Sequence, residues 1–208
     1  MRFLQQGSEQ AFWSDPFLWI HLAGVAALPI FLAICLLGLA VGSPILPVWL
    51  EVGLVGALGI LPVVWMQMTR PFYIFSILLI AIQPEKLTEQ QRRILSGFKT
   101  KGHQILTVVS PLLLLFLLGK VYQIAPLAAD VAPFPPSWRI AGLLLATAAY
   151  AGCNLFLQVP VSVLGVLFTE EEQFLARDPL SVEQIRQDFT RIGWPVKQIF
   201  SSFDKTGG

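Results

Sequence analysis

The sequence predicts an all-α, polytopic integral membrane protein with four transmembrane helices plus a re-entrant or buried half-helix. Three observations predict it. Hydrophobic residues make up 55% of the 208-residue chain, charged residues only 13%, and mean hydropathy is +0.67. Soluble domains carry about 25% charge, so too few charges remain to cover a water-facing surface. Several apolar runs are long enough to cross a hydrocarbon core of about 30 Å. A soluble enzyme and a disordered chain are excluded, and a net charge of +1 argues against a nucleic-acid partner held by bulk charge.

The first span is expected at about 17–41, FLWIHLAGVAALPIFLAICLLGLAV, with Ser14 or Asp15 as cap and Pro16 in the first helical position. It is too long for the apolar core of a cleaved signal and reads as a retained helix. The second span, about 45–68, carries Gly53, Gly56, Ala57 and Gly59, a smooth side that another helix can approach. Residues 72–82, FYIFSILLIAI, are apolar all round yet reach only about 17 Å as a helix, so they read as a re-entrant or buried half-helix, with a fifth span as the alternative.

A polar, amphipathic insert follows at 83–103. Thr88 and Gln91 form a capping-box pattern, and Leu87, Ile94, Leu95 and Phe98 fall on one helical side. The third span is expected at 104–124. A stiff connector rich in proline precedes the last apolar run, 138–168, of which 138–160 forms the fourth span and Pro160 a place for a kink. The transmembrane domain thus covers 1–168. The tail, 169–208, is polar and holds a short amphipathic helix at 181–192, with Val182, Ile185, Phe189 and Ile192 on one side.

Four spans put both termini, the insert and the tail on one side of the membrane. Twelve of the fourteen basic residues, from Arg2 to Lys205, then share that side, and only Lys120 and Arg139 lie opposite. The asymmetry makes that side cytoplasmic. With five spans the split falls to ten against four. Trp13, Trp19 and Trp65 at one set of helix ends, and Trp49 and Trp138 at the other, fit the interfacial preference of indole.

Few polar residues enter the apolar runs, and each has a structural and a functional reading. His21 suits a tetrapyrrole ligand or a proton relay, but equally an interfacial histidine bonded to its own helix, with Gln67 and Thr69 at similar depth. Glu51 lies near the opposite interface, where it can stay solvated. Asn154, Gln158 and Ser162 recur every fourth residue on one side of the last helix and can glue helices, bind a ligand or line a path. Lys86, Arg92, Arg93, Lys99 and Lys101 can meet anionic headgroups or an acidic partner, or serve only as a topology signal. The acidic trio Glu170–Glu172 can pair with them. Cys35 and Cys153 both fall in apolar runs and read as small buried residues. No HExxH, Walker loop, GxSxG or dinucleotide fingerprint is present, and the two histidines are not placed as a metal pair.

The segments FWSDPFLWIHLAG (12–24), LPVWLE (46–51), RPFYIFS (70–76), PEKLTEQQRRIL (84–95), NLFLQVPVSVL (154–164) and VEQIRQDFTRIGWPVKQIF (182–200) are spread over nearly the whole chain. Together they resemble a cyanobacterial family described as low-complexity tail membrane proteins. The resemblance implies a photosynthetic organism and a thylakoid or plasma membrane. It carries no activity, cofactor or site residue across. Only SSFDKTGG follows the last of these segments, so a low-complexity tail is expected to play no part in this chain.

The expectation is therefore a non-enzymatic accessory, assembly or small-subunit protein of a photosynthetic membrane complex. Its contacts with other subunits are expected at Gly53, Gly56 and Gly59, at Asn154, Gln158 and Ser162, and at Arg92 and Arg93 with the tail. The alternatives are a small-molecule transporter or channel, with a water-accessible cavity at the level of Asn154 and Gln158, and a protein that binds chlorophyll, carotenoid or lipid with His21 as ligand.

Overall fold

The computed structural model describes residues 11–77 and 79–199. Arg2, Lys205 and the terminal SSFDKTGG lie outside the described residues. Four stretches of helix are long and apolar enough to cross a membrane: Pro16–Leu39, Val48–Thr69, Lys101–Val131 and Pro136–Leu167.

The first stretch is two α-helices joined by a tight turn. Asp15 caps α1 (Pro16–Ala23) by accepting the Phe17 N–H at 2.9 Å. Gly24–Ala27 then tightens into 3₁₀ geometry before α2 (Leu28–Leu39). Pro29 explains the break. It has no N–H to give the Val25 carbonyl, and Leu28 donates there instead. Helix α3 (Val48–Thr69) starts three residues later than expected, because the Ile45 and Leu46 amides turn to the Glu51 carboxylate.

Helix α4 (Glu89–Ser96) carries the anticipated capping box between Thr88 and Gln91. Helix α5 (Lys101–Ile124) is capped by Thr100 and runs on into a 3₁₀ segment, Ala125–Val131. Helix α6 (Arg139–Leu167) is central and packs against α1, α2, α3 and α5. Its closest crossing is with α2, where Gly38 meets Gly142. A Cβ on Gly38 would stand 2.7 Å from the Gly142 carbonyl and from the Ala146 nitrogen. Glycine at both positions lets the two backbones touch.

The chain order alternates the helices, so Pro16, Thr69, Lys101 and Leu167 mark one end of the bundle, called the near end. Leu39, Val48, Ile124 and Arg139 mark the far end. Three segments distant in sequence converge at the near end. Phe12, Phe17 and Leu18 from the first segment bury against Tyr73, Ile74, Phe75, Ile94, Leu95 and Phe98, and against Val163, Val166, Phe174, Ile185 and Phe189. The apolar side foreseen for the insert is buried in full, from Leu87 at 8% exposure to Ile94 and Leu95 at 0%. Two short helices, α7 (Glu171–Leu175) and α8 (Val182–Asp188), complete this unit.

Residues 72–82 are not the expected half-helix. They form a small sheet, with β1 (Ser76–Ile77) antiparallel to β2 (Ile80–Ile82), and β2 parallel to β3 (Trp194–Val196). The physical reason is burial on both sides. Tyr73, Ile74 and Phe75 are completely covered, and a run rich in aromatic and β-branched residues suits extended chain. The Tyr73 hydroxyl donates to the Ile82 carbonyl at 2.9 Å and closes the hairpin.

The tail helix is likewise shorter than the expected 181–192. Ser181 and Gln184 build its capping box, but Phe189 is extended and Thr190 exchanges backbone bonds with Pro71 and Tyr73. Ile185 and Phe189 enter the core, while Ile192 is left 47% exposed. Lys99 pairs with Asp188 at 3.5 Å and Arg186 pairs with Glu85, while no ion pair joins the insert to the Glu170–Glu172 trio among the described residues.

Candidate functional site

The densest polar constellation inside the bundle lies at the far end, on Glu51, Tyr122 and Arg139. Glu51 sits in the first turn of α3 and Arg139 opens α6, with 0% and 3% of their surfaces exposed. The solvated carboxylate expected at position 51 is therefore instead buried and paired. Burying either charge alone carries a large desolvation cost, so the surroundings must supply partners.

They do so for every guanidinium donor. Nε and one terminal nitrogen grip the two Glu51 oxygens, and that same nitrogen lies 3.4 Å from the Tyr122 hydroxyl. The other terminal nitrogen donates to the Leu39 carbonyl at 2.6 Å and the Val41 carbonyl at 3.0 Å. Glu51 also accepts from Ile45 N, Leu46 N and the Tyr122 hydroxyl, the first and last at 3.0 Å. Placing the cation against the Leu39 carbonyl that ends α2, and the anion in the first turn of α3, suits both helix dipoles. The network joins α2, α3, α5 and α6 at one point. A groove of about 360 Å³ borders it, lined by Leu39, Gly42, Tyr122, Phe134 and Arg139.

Asn154, Gln158 and Ser162 are all buried on α6. The Asn154 amide donates to the Gly59 and Ile60 carbonyls of α3 at 3.4 and 3.2 Å. Gln158 donates to Asn154 at 2.9 Å, and Ser162 donates to the Gln158 carbonyl at 2.6 Å. The stripe links α6 to α3. Of the three glycines expected to meet other subunits, two are occupied within the chain. Gly56 lies against Leu115 and Leu118, and Gly59 against Tyr150 and Ala151. Gly53 alone has open space in front of it.

His21 is half-buried at the near end, its Nδ1 2.9 Å from the Phe17 carbonyl and its ring 5.8 Å from that of Phe72. It borders an apolar groove of about 330 Å³ with Gly24, Leu155, Phe156 and Pro160. His21 and Glu51 lie at opposite ends of the bundle. Gln67 does not partner His21; its side-chain oxygen accepts from the Phe72 amide at 3.0 Å. Thr69 donates to Trp65 of its own helix. Arg93 pairs with Glu89 at 2.9 Å and lies 6.0 Å over the Phe174 ring, and the Arg92 carbonyl accepts from Leu180 N. Both arginines thus join α4 to the tail. Cys35 and Cys153 are free and fully buried.

Sequence reasoning passed over Arg139 and Tyr122, weighing the first only as a far-side cation. The available signal was an acid and a base, each within a turn of a helix end, on the same side of the membrane. His103 was passed over as part of the polar insert. It is the third residue of α5, 5% exposed.

Four apolar helices of crossing length, with their buried charges neutralised inside the bundle, define an integral membrane protein. The chain belongs to the low-complexity tail membrane protein-like family, which it matches over residues 14–201. Neither the curated proteins nor the solved structures contain a match to it.

Proposed function

We propose that this protein is a non-enzymatic accessory, assembly or small-subunit component of a photosynthetic membrane complex, and that it meets the complex through its near-end unit. The observation that carries this reading is the construction of that unit. Segments 11–18, 71–99 and 168–199 close around one apolar core, more structure than joining four spans requires. Its surface nevertheless leaves Leu79 70% and Trp194 77% exposed beside each other, linked by the Trp194 N–H to the Leu79 carbonyl. Exposed aromatic and aliphatic groups on a polar surface are typical anchors for a protein contact. The cytoplasmic placement of this end rests on the charge asymmetry, and the photosynthetic setting on the cyanobacterial resemblance.

The test is affinity capture of the full chain from native membranes in mild detergent, with Trp194→Glu as comparison. Stoichiometric photosynthetic subunits recovered with the parent chain, and lost with the variant, support the proposal. Recovery of the protein alone overturns it.

The groove beside His21 favours a second reading, an apolar pigment or lipid bound between α1 and α6. Its test is the absorption spectrum and lipid content of the purified protein. A band or a bound lipid lost in His21→Ala supports it, and an identical profile in both proteins removes it.

A further inference from the structure

A second polar cluster lies between α3 and α5, one end of the bundle away from Glu51. The side chains of Gln67, His103 and Thr107 are 1%, 5% and 2% exposed, and Ser110 follows one turn deeper on the same side of α5. The Gln67 amide nitrogen, both His103 ring nitrogens and the hydroxyls of Thr107 and Ser110 are buried and find no protein partner. The Gln67 backbone lies beside the imidazole without making a hydrogen bond of good geometry to it. The Gln67 amide is not free to turn away, since its oxygen is held by Phe72 N. His103 is held as firmly, its backbone on the Thr100 cap and its ring 5.4 Å from that of Phe98.

Buried polar atoms in membrane proteins are nearly always satisfied, because lipid offers no substitute for water. Unpartnered polar atoms gathered on one side of α5 and on Gln67 therefore call for a guest. The kinds of atom define it. The amide nitrogen gives only donors, a neutral imidazole one donor and one acceptor, and the two hydroxyls both. An anion needs donors throughout, and a cation needs acceptors or carboxylates. A small neutral molecule that donates and accepts equally fits the set.

We propose that the seam between Gln67, His103, Thr107 and Ser110 is a hydrated site, holding water that enters from the near-end surface and bonds the buried imidazole. This goes beyond the accessory role and does not depend on it. Water bound there would make His103 reachable for protons although it is packed inside a membrane helix bundle.

Two measurements on the full chain test the site, the first in liposomes. Thr107→Cys is reacted with a small water-soluble methanethiosulfonate and compared with Ile105→Cys, which lies at the same depth but is 63% exposed on the outer side of the helix. Labelling is counted above that of the parent chain, whose two cysteines are buried. Because only a hydrated thiol ionises and reacts, Thr107→Cys should label about tenfold faster or more than Ile105→Cys. Equal or slower labelling overturns the proposal.

The second measurement is the melting temperature of Thr107→Val in detergent. Loss of a hydroxyl bonded to water lowers it. In a dry seam, replacing an unpartnered hydroxyl by a methyl raises it, and that result also overturns the proposal. If Thr107→Cys misfolds, Ser110→Cys takes its place in the labelling comparison.

Discussion

Arg139 and Glu51, 88 residues apart, meet at the far end of the bundle with every N–H of the guanidinium engaged. Saturation makes this pair a clamp. A guanidinium holding a carboxylate, the Leu39 and Val41 carbonyls and a tyrosine hydroxyl has no donor left for a ligand in the neighbouring groove. Its effect is to fix where α2 ends and where α3 and α6 begin.

Removing one partner should therefore cost far more than the pair contributes net. Arg139→Met leaves Glu51 buried with only neutral donors and should destabilise the protein by about 3–5 kcal/mol, as should Glu51→Leu. The double substitution should recover much of the loss. Thermal unfolding of the four proteins in one detergent checks this. Additive losses would show that the two charges do not act together.

The Gly38–Gly142 crossing leaves no room for a side chain. A Cβ on Gly142 would stand 2.5 Å from the Gly38 carbonyl. Gly142→Ala should force α2 and α6 apart and cost roughly 1–3 kcal/mol. Gly53→Ala, with open space before it, should leave the unfolding temperature unchanged or slightly raised.

Acid should act in opposite directions on two near-end carboxyls. Burial pushes Asp15 above its ordinary value of 3.8, against the bonds from Gln91 and Phe17 N. Its contribution to stability is present below that ordinary value and lost as pH rises through the raised one. Glu85 is held below 4.5 chiefly by its own backbone N–H and then by Arg186. Its contribution is present above 4.5 and lost as pH falls through the lowered value. Carboxyl carbon shifts followed by NMR should place the Asp15 midpoint above 3.8 and the Glu85 midpoint below 4.5. An Asp15 midpoint at or below 3.8 would contradict the burial of Asp15 against α4.

The tail reaches the sheet through Gly193, whose φ of +114° is strained for any residue with a Cβ. Such a Cβ would also lie 2.7–2.8 Å from the Leu79–Ile80 peptide. Gly193→Val should undock β3 and expose the chain after residue 189 to limited proteolysis while the four spans remain folded. Unchanged proteolysis would show that the parallel pairing of β2 and β3 does not hold the tail.

The features legible in the sequence are those set by neighbours a turn away. Apolar runs of crossing length, the Thr88–Gln91 cap and the apolar side of α4 depend on local spacing alone. The hairpin at 76–82 was not legible, because its apolar residues show no period and its third strand lies over a hundred residues away. The register of Ile80 with Trp194 has no local signature. Glu51 looked solvated because its position near a helix end says nothing of Arg139, which reaches it only once α3 and α6 lie side by side. The Gly56 and Gly59 surface looked available for the same reason. Small residues mark a close approach without saying whether the approaching helix belongs to the same chain.

The path of the chain through the membrane is tested most directly by side-specific labelling in sealed vesicles. Single cysteines at Ser43, in the far loop, and at Lys86, in the near-end unit, are exposed to an impermeant thiol reagent before and after the vesicles are opened. Four spans with 72–82 folded as a hairpin predict that the two positions label from opposite sides. Labelling of both from the same side would mean that 72–82 crosses the bilayer, which would contradict the near-end unit and the functions proposed for it.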